Sequence, residues 1–327
     1  MVQRYAATTC EPVAATVRAV GREEPGIRGV LRARWRTKSG ADGEDRGVDV
    51  EKRTVRPRPP AVDRPLVIAH RGASDEEPEH TLRAYRKAFH YGADGVECDV
   101  RLTADHHLVC VHDRRVNRTS NGAGVVSALE LATLEEFDWA SWKLAHRPGD
   151  TESPESDPER GHLLTLRRLL DTLVDTRQEV VTLIETKHPT RHGSDVEKTL
   201  VQVLRAFDLA DGDQPGRPHV RLMSFSNRAL QRAHKLAPHL PLVYLVDATL
   251  PALTWDGILP KGVGAVGLDV RMLRRPKAVK AFQRRGHQVY VWTVDRHEDV
   301  DRCLELGVDV IITNRPGHVL RQVARSG

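Results

Sequence analysis

The chain has 327 residues, 39% of them hydrophobic, which is enough to bury a sizeable core in one large domain or two smaller ones. Its cysteines, Cys10, Cys98, Cys110 and Cys303, form neither a CxxC pair nor a zinc-finger spacing, so we expect reduced thiols rather than a disulfide framework or a structural zinc site. The formal net charge of +5 arises within residues 1–60, where 13 basic side chains face 8 acidic ones, so the charge does not indicate a nucleic-acid-binding domain in the rest of the chain.

Residues 1–62 show no sustained helical or alternating periodicity and end in a stiff Arg/Pro-rich run at 56–60. We predict a disordered basic extension, with a tether to a membrane surface or nucleic acid, or a translation start further downstream, as alternatives. Glu11 and Arg18 interrupt the first apolar run, and no later stretch approaches the roughly 18 apolar residues of a membrane span. We therefore expect a soluble, cytoplasmic protein without stable membrane insertion.

The rest of the chain, residues 63–327, alternates short β-branched runs with amphipathic stretches of helix length, which is typical of parallel βα units. The runs predict strands at 66–70, 95–101, 180–186, 220–225, 241–246, 264–270, 288–294 and 308–313. Helices are predicted between them, at 81–91, 166–175, 195–207, 227–236, 276–285 and 298–306. Eight such units favour an α/β fold of the (β/α)₈ TIM-barrel type.

Two departures from a plain barrel follow the second strand. This strand is predicted to continue, turn at 104–106 and return along 108–112 as an antiparallel hairpin. Residues from about 114 to 164 then form a small insertion that contains Trp139 and Trp142, and its polar stretch at 148–154 is typical of a mobile loop.

Acidic residues lie where predicted strands end. Side chains alternate along a strand, so Glu97 and Asp99 point to the same side, which faces the active-site mouth at the end of a barrel strand. The same reasoning places Glu185 and Lys187 at that rim. Three carboxylates suit one divalent cation, Mg²⁺ or Ca²⁺, better than zinc. Cys98 has the opposite parity and should pack between barrel and helices.

Two histidines are expected to reach the same rim. His70 ends the first strand, and the hairpin lays His112 beside the second strand. An imidazole can accept a proton from an attacking oxygen and an imidazolium can donate one to a leaving alkoxide, so the pair could flank one phosphorus as general acid and base. Arg71 and Lys187 would neutralise the phosphate oxygens.

An ordered set of motifs resembles the glycerophosphodiester phosphodiesterases over roughly residues 65–320. The set comprises His70-Arg71-Gly72-Ala73-Ser74, Pro78-Glu79-His80-Thr81, Gly92-Ala93-Asp94, Glu97-Cys98-Asp99-Val100, Thr103, His112-Asp113, Glu185-Thr186-Lys187, Ser224-Phe225-Ser226, Val291-Trp292-Thr293-Val294, Gly307-Val308-Asp309 and Thr313-Asn314-Arg315-Pro316. The resemblance implies a metal-dependent barrel enzyme that hydrolyses small glycerophosphodiesters to sn-glycerol 3-phosphate and an alcohol, directly or through a cyclic intermediate.

The resemblance also implies roles for individual residues. The carried-over set is His70 and His112 as general acid and base, Glu97, Asp99 and Glu185 as metal ligands, and Arg71 and Lys187 as phosphate contacts. We further expect Glu79, in the first βα loop, and Trp292 to contact substrate. Many relatives have Asn where His80 stands, so the role of His80 stays open. Asp113 either orients His112 or only ends the hairpin.

Other functions are compatible with parts of this pattern. A lysophospholipase D-like enzyme on lipid-bearing diesters would show a large apolar groove beside the insertion. A metal-independent phosphodiester lyase also uses two histidines but needs no cluster of three carboxylates. A non-catalytic barrel tethered by its basic tail would need neither the two histidines nor the three carboxylates. The head-group alcohol, the choice between the two ions and the oligomeric state stay open from sequence.

Overall fold

The computed structural model describes residues 64–144, 161–175, 179–249 and 256–326. Eight parallel strands close into a barrel and a ninth, β3, is attached to β2, so the TIM-barrel prediction is confirmed. The strands are β1 (Leu66–His70), β2 (Gly95–Leu102), β3 (Leu108–Cys110), β4 (Val181–Thr186), β5 (His219–Ser224), β6 (Leu242–Val246), β7 (Ala265–Asp269), β8 (Gln288–Trp292) and β9 (Val310–Thr313). Strand β9 pairs back onto β1, with Leu66 opposite Val310.

The predicted helices are present, with boundaries that differ from the predictions by at most one residue. The helices are α1 (Leu82–His90), α2 (Leu131–Glu135), α3 (Ser141–Leu144), α4 (Leu166–Asp175), α5 (Asp195–Ala206), α6 (Asn227–Leu236), α7 (Pro276–Arg284), α8 (His297–Leu306) and α9 (Pro316–Ser326). The Thr81 hydroxyl caps α1 by accepting a hydrogen bond from the backbone N of Ala84 at 3.2 Å. Pro276 begins α7, where its missing N–H costs nothing.

The predicted hairpin is confirmed, because β3 runs antiparallel to β2 with Val100 opposite Cys110. The regular ladder ends at Cys110, two positions before the predicted end at residue 112. The carbonyl of His112 instead accepts hydrogen bonds from Nε and Nη2 of Arg101, at 2.9 and 2.6 Å. His112 therefore lies just beyond the strand, held by a side chain rather than by the sheet.

Side-chain alternation divides the core into two layers. Inside the barrel, Ile68, Leu183 and Tyr290 belong to one apolar cluster. Outside it, Cys98 packs with helix residues such as Leu169, as its parity predicted. On two of these strands the next inward-facing side chain after the apolar cluster is polar: His70 follows Ile68, and Glu185 follows Leu183. The polar residues at the rim of the barrel therefore lie directly above its apolar core.

The described part of the insertion has a small core of its own. Val116, Leu134 and Trp139 pack with Val109 and Val111 of the hairpin. The predicted extension at 1–62 and the polar stretch at 148–154 lie outside the described residues. Among the helices of the described segments, none is both long and apolar enough to cross a bilayer.

Gly95 provides a test of how tightly the barrel strands approach. A Cβ added there would lie 2.0 Å from the carbonyl oxygen of Val181 on β4, whereas one added at Gly264 would meet no atom within 4 Å. We expect Gly95→Ala to lower the free energy of unfolding by about 2 kcal/mol or more, because the obstructing atom is backbone. Gly264→Ala should change it by less than about 0.5 kcal/mol. Equal effects of the two substitutions in urea denaturation would contradict this account.

Candidate active site

Three carboxylates converge at the C-terminal rim of the barrel. Glu97, Asp99 and Glu185 each offer an oxygen, these oxygens lie within 4.8 Å of one another, and all three residues are buried. The strand register brings them together, because Asp99 on β2 lies opposite Glu185 on β4. These are the residues predicted as metal ligands, and a set made only of carboxylate oxygens suits Mg²⁺ or Ca²⁺.

The three carboxyl groups have very different pKa values, because burial, mutual repulsion and nearby cations act on them unequally. Burial and the neighbouring negative charge of Asp99 raise the pKa of Glu97 well above its usual range. Burial likewise raises the pKa of Glu185, to about 7. Burial would also raise the pKa of Asp99, but Lys187 and Arg71 outweigh it and hold that pKa well below its usual range. A cation among these oxygens would favour the ionised form of all three.

Two basic side chains already lie against the carboxylates. Lys187 Nζ lies 2.8 Å from Asp99 Oδ1 and 2.8 Å from Glu185 Oε1. Arg71, in a left-handed conformation with φ of 58°, places Nε 2.8 Å from Asp99 Oδ2, and its backbone N donates to Glu97 Oε2 at 3.1 Å. Despite its ion pair, buried Oδ1 of Asp99 receives no well-directed hydrogen bond within the described residues. This property and the donor set fit a metal ligand.

The His80 side chain contacts the carboxylate of Asp99. Its ring is buried, with Nε2 3.1 Å from Asp99 Oδ2 and Nδ1 2.9 Å from the hydroxyl of Tyr85. The Tyr85 hydroxyl in turn donates to the backbone carbonyl of Glu97 at 3.2 Å. The position whose role the sequence left open therefore orients Asp99, in the way that groups behind a metal ligand commonly do.

The orientation of His70 is fixed by a chain of hydrogen bonds from the ends of β8 and β9. Asn314 donates to Asp295 through Nδ2 at 2.6 Å and through its backbone N at 2.8 Å. Because a carboxylate only accepts, the Nδ2 end of the amide must face Asp295, and Oδ1 faces His70 Nδ1 at 2.7 Å. The proton of neutral His70 therefore resides on Nδ1, which leaves Nε2 as the acceptor.

Neutral His70 is also the form that its surroundings favour. Burial first, and then the positive charge of Arg71, lower the pKa of His70 to about 3. Its Nε2 lies 3.9 Å from Glu97 Oε2, so the acceptor nitrogen faces the carboxylate cluster. An imidazole in this state can accept a proton but holds none to give from Nε2.

His112 is held differently. Its Nδ1 lies 2.7 Å from Asp113 Oδ1, and its side chain is 36% exposed. The pKa of His112 lies below its ordinary value, because burial, Lys187 and Arg71 together outweigh Asp99 and the hydrogen bond to Asp113. The contact with Nδ1 shows that Asp113 orients the ring rather than only ending the hairpin.

A network around Arg118 connects the loops that carry the two histidines. Arg118 Nη1 and Nη2 bind the Glu79 carboxylate at 2.7 and 2.8 Å, and its Nε binds Asp113 at 2.7 Å. Glu79 also accepts from Arg71 Nη1 at 3.1 Å. Arg118 stands in no recognisable motif and was not predicted as a site residue. Asn314 belongs to one of the motifs but had no predicted role, although its place at a strand end was a usable signal.

One cavity of about 230 Å³ opens above these groups. Its wall includes His70, Arg71, Glu97, His112, Glu185, Lys187, Phe225 and Trp292. The Trp292 ring meets Phe225 edge-on at 5.5 Å between centroids, and its Nε1 donates to the Gly267 carbonyl at 3.0 Å. Asp99 lies beside the cavity within the carboxylate cluster. Of the residues predicted for the site, Glu79 is the one placed to the side, against Arg71 and Arg118.

Comparisons with known proteins agree on one family. The model of the glycerophosphoryl diester phosphodiesterase family matches residues 70–318. A probable glycerophosphodiester phosphodiesterase 1 of Mycobacterium tuberculosis is 45% identical over 254 residues, which cover 77% of this chain and 90% of that protein. A glycerophosphodiester phosphodiesterase of Caldanaerobacter subterraneus subsp. tengcongensis is 30% identical over 268 residues, covering 80% and 99%.

Solved structures agree on the fold. An Oleispira antarctica phosphodiesterase in complex with the product sn-glycerol-3-phosphate matches with a TM-score of 0.68, covering 80% of this chain and 98% of that one. At 23% identity this match establishes a shared fold and no more.

The Arg118 network should make the free energy of unfolding depend on pH in the acidic range. Burial would raise the pKa of Glu79, but Arg118 and Arg71 hold it at about 2, and Arg118 likewise lowers the pKa of Asp113 to about 2. Lowered values stabilise the folded state above the ordinary pKa of these groups, and this stabilisation is lost as pH falls toward 2. Since Arg118 is 43% exposed and solvent screens its charge, we expect Arg118→Met to cost about 1 kcal/mol at pH 7.

The pH dependence of that loss is the discriminating measurement. In urea denaturation, the difference between wild type and Arg118→Met should shrink as pH is lowered from about 5 toward 2. The reason is that the unfolded wild type takes up protons on these carboxylates before the folded wild type does, whereas in Arg118→Met the folded and unfolded states take them up over nearly the same pH range. Arg296→Met, which removes a pair with Glu298 from a 66% exposed side chain, is the control and should change stability little. A loss from Arg118→Met that stays constant with pH would contradict the assignment.

Proposed function

Because the chain belongs to the glycerophosphoryl diester phosphodiesterase family and is thus a glycerophosphodiester phosphodiesterase, we propose that it hydrolyses its substrates to sn-glycerol 3-phosphate and an alcohol by metal-dependent general acid–base catalysis. The observation that carries this proposal is the convergence of three buried carboxylates and two histidines on one cavity. A phosphodiester needs charge neutralisation and two proton transfers, and these residue types can supply both.

One divalent cation, Mg²⁺ or Ca²⁺, would be held by Glu97, Asp99 and Glu185. The ion, when bound, would act as a Lewis acid that draws negative charge from the phosphoryl oxygens. Support comes from the donor set, from the buried Oδ1 of Asp99 and from the raised pKa values of Glu97 and Glu185, which are groups that gain from a nearby positive charge.

The two histidines divide the proton transfers between them. His70, neutral and presenting Nε2 as an acceptor, takes the proton from the attacking oxygen. His112, whose Nδ1 is hydrogen-bonded to Asp113, carries the positive charge of the imidazolium and donates from Nε2 to the leaving alcohol. Microscopic reversibility exchanges these roles if the reaction passes through a cyclic phosphate.

The remaining predicted contacts complete the binding of substrate. Arg71 and Lys187 line the cavity and can turn remaining N–H donors toward the phosphate oxygens. Trp292, with its indole N–H already bonded to Gly267, offers only apolar surface to the glycerol carbons. Glu79 binds Arg71 and Arg118, so its effect on substrate is transmitted through Arg71.

The cavity beside the described part of the insertion has a polar wall, which favours small diesters over lipid-bearing ones. The cluster of three carboxylates likewise favours a metal-dependent hydrolase over a metal-independent lyase. The proposal also includes a cytoplasmic location. The proposed partner is the small-molecule diester substrate, and nucleic acid is not a proposed partner.

Metal removal is the primary test. We expect a chelator to abolish release of sn-glycerol 3-phosphate from glycerophosphocholine and glycerophosphoglycerol, and Mg²⁺ or Ca²⁺ to restore it. Glu185→Gln should weaken cation binding by about tenfold or more in calorimetry, because it removes a negatively charged ligand. Glu305→Gln, on an exposed face of α8, is the matched control and should bind the cation normally. Activity unaffected by chelation would remove the metal from the mechanism.

A second prediction concerns the orientation of His70. In Asp295→Asn the new amide can both donate and accept, so the Asn314 amide is free to turn over and present Nδ2 to His70 Nδ1. The proton would then move to Nε2, and we expect kcat to fall about 100-fold with KM nearly unchanged. Asn314→Ala should act in the same direction.

Controls separate this effect from general damage to the fold. Asp171→Asn, exposed on α4, should leave kcat unchanged, and urea denaturation should give the stability of each variant. The ¹⁵N chemical shifts of the His70 ring should report protonated Nδ1 in the wild type and a mixture of tautomers in Asp295→Asn. A near-normal kcat in Asp295→Asn, or unchanged shifts, would refute the assignment.

A further inference from the structure

A buried carboxylate in the helical layer has no part in the mechanism above. Glu197, in the first turn of α5, is fully buried, as is Asp99 of the carboxylate cluster. It is absent from the described residues that line the catalytic cavity. Burying a charge is costly unless partners offset the lost hydration, so the partners of Glu197 indicate what this carboxylate holds in place.

Two side chains from different parts of the fold bind Glu197. His188 Nε2 lies 2.6 Å from Glu197 Oε1, and Nε of Arg232, on α6, lies 2.7 Å from Glu197 Oε2. Because a carboxylate only accepts, His188 Nε2 carries a proton and donates it. One oxygen of Glu197 therefore connects α5 to α6, and the other holds the segment that follows β4.

The segment that Glu197 holds is adjacent to a residue of the active site. Lys187 is the first residue after β4, and His188 follows it directly. The backbone N of Lys187 donates to the Val100 carbonyl of β2 at 3.4 Å, which is a long hydrogen bond. Pro189 has no N–H with which to continue the sheet. The contact between His188 and Glu197 therefore fixes the chain at the point where the sheet ends.

The position of Lys187 matters because its ammonium makes two short contacts at once. Nζ lies 2.8 Å from Asp99 Oδ1 and 2.8 Å from Glu185 Oε1. Lys187 also lines the catalytic cavity, where the proposed function assigns it to the phosphate of the substrate. A shift of its backbone by about 1 Å would disturb these contacts together, and misplacement on that scale can cost up to about 100-fold in activity.

We propose that Glu197 is a positioning residue for phosphate binding, because it holds Lys187 in place through His188. The ammonium of Lys187 can then reach both the carboxylate cluster and a phosphate oxygen of the substrate. This inference rests on the proposed function and adds to it a residue of the helical layer that lies outside the active-site motifs. Arg232 has a different task, since it binds the other oxygen of Glu197 and compensates its charge.

The test measures KM for glycerophosphoglycerol and the calorimetric Kd of sn-glycerol 3-phosphate, both at saturating Mg²⁺. We expect His188→Ala and Glu197→Leu to raise both constants about tenfold and to lower kcat less than about threefold, because a displaced Lys187 binds phosphate oxygens less well. Glu197→Gln, which keeps one acceptor, should give smaller increases.

Arg232→Met is the matched control. It removes the other partner of Glu197 and leaves the contact with His188, so urea denaturation should show a loss of stability. Because Lys187 stays in place, KM and the Kd of sn-glycerol 3-phosphate should remain within about twofold of wild type. Increases in Arg232→Met that match those in Glu197→Leu would overturn the inference, since they would reflect general damage to the fold.

A double-mutant cycle with Lys187→Met tests whether Glu197 acts through that lysine. If it does, adding Glu197→Leu to Lys187→Met should raise the Kd of sn-glycerol 3-phosphate by less than about twofold further. His188→Ala takes its place in the cycle if Glu197→Leu does not fold. Effects of the two substitutions that multiply independently would overturn the inference.

The remaining outcomes separate this inference from the proposed function. Wild-type KM and Kd in His188→Ala and in both Glu197 variants would overturn the inference alone. Failure of the wild type to release sn-glycerol 3-phosphate from glycerophosphoglycerol would instead overturn the proposed function itself.

Discussion

The structure depends on keeping three carboxylates buried on top of an apolar barrel core. Glu185 stands one inward position beyond Leu183 of the apolar cluster, and Glu97 and Asp99 lie beside it on β2. All three are buried, where unpaired charges would cost several kcal/mol each. Lys187 and Arg71 lie against Asp99 and keep it ionised, whereas burial raises the pKa values of Glu97 and Glu185 and favours their neutral forms. A nearby cation would favour the ionised forms of both glutamates, so the charge of the cluster depends on what binds there.

The two histidines differ in the partners that hold them. A neutral amide, Asn314, fixes the largely buried ring of His70, so the partner at Nδ1 carries no negative charge that would stabilise an imidazolium. A carboxylate, Asp113, fixes the more exposed ring of His112 and acts to raise its pKa, although burial outweighs this and the pKa stays below its ordinary value. The two histidines are therefore held by chemically different neighbours, a neutral amide in one case and a carboxylate in the other.

Much of this arrangement could be predicted from local sequence rules. Strand alternation placed Glu97 and Asp99 on the same inward face and Cys98 on the other, and the hairpin brought His112 back to the rim. The contacts that refine the site depend on tertiary closure instead. His70 and Asn314 are 244 positions apart and meet only because β9 pairs with β1. Arg118 lies in an insertion with its own small core, so neither periodicity nor motif spacing indicated that it would bind Glu79.

Closure of the barrel also has a consequence for the order in which the enzyme matures on the ribosome. Strand β1 and His70 emerge early, but β9 and Asn314, which seal the cylinder and orient that histidine, emerge after every other barrel strand. His70 can therefore gain its amide partner only late in translation, once the last strand of the barrel has emerged.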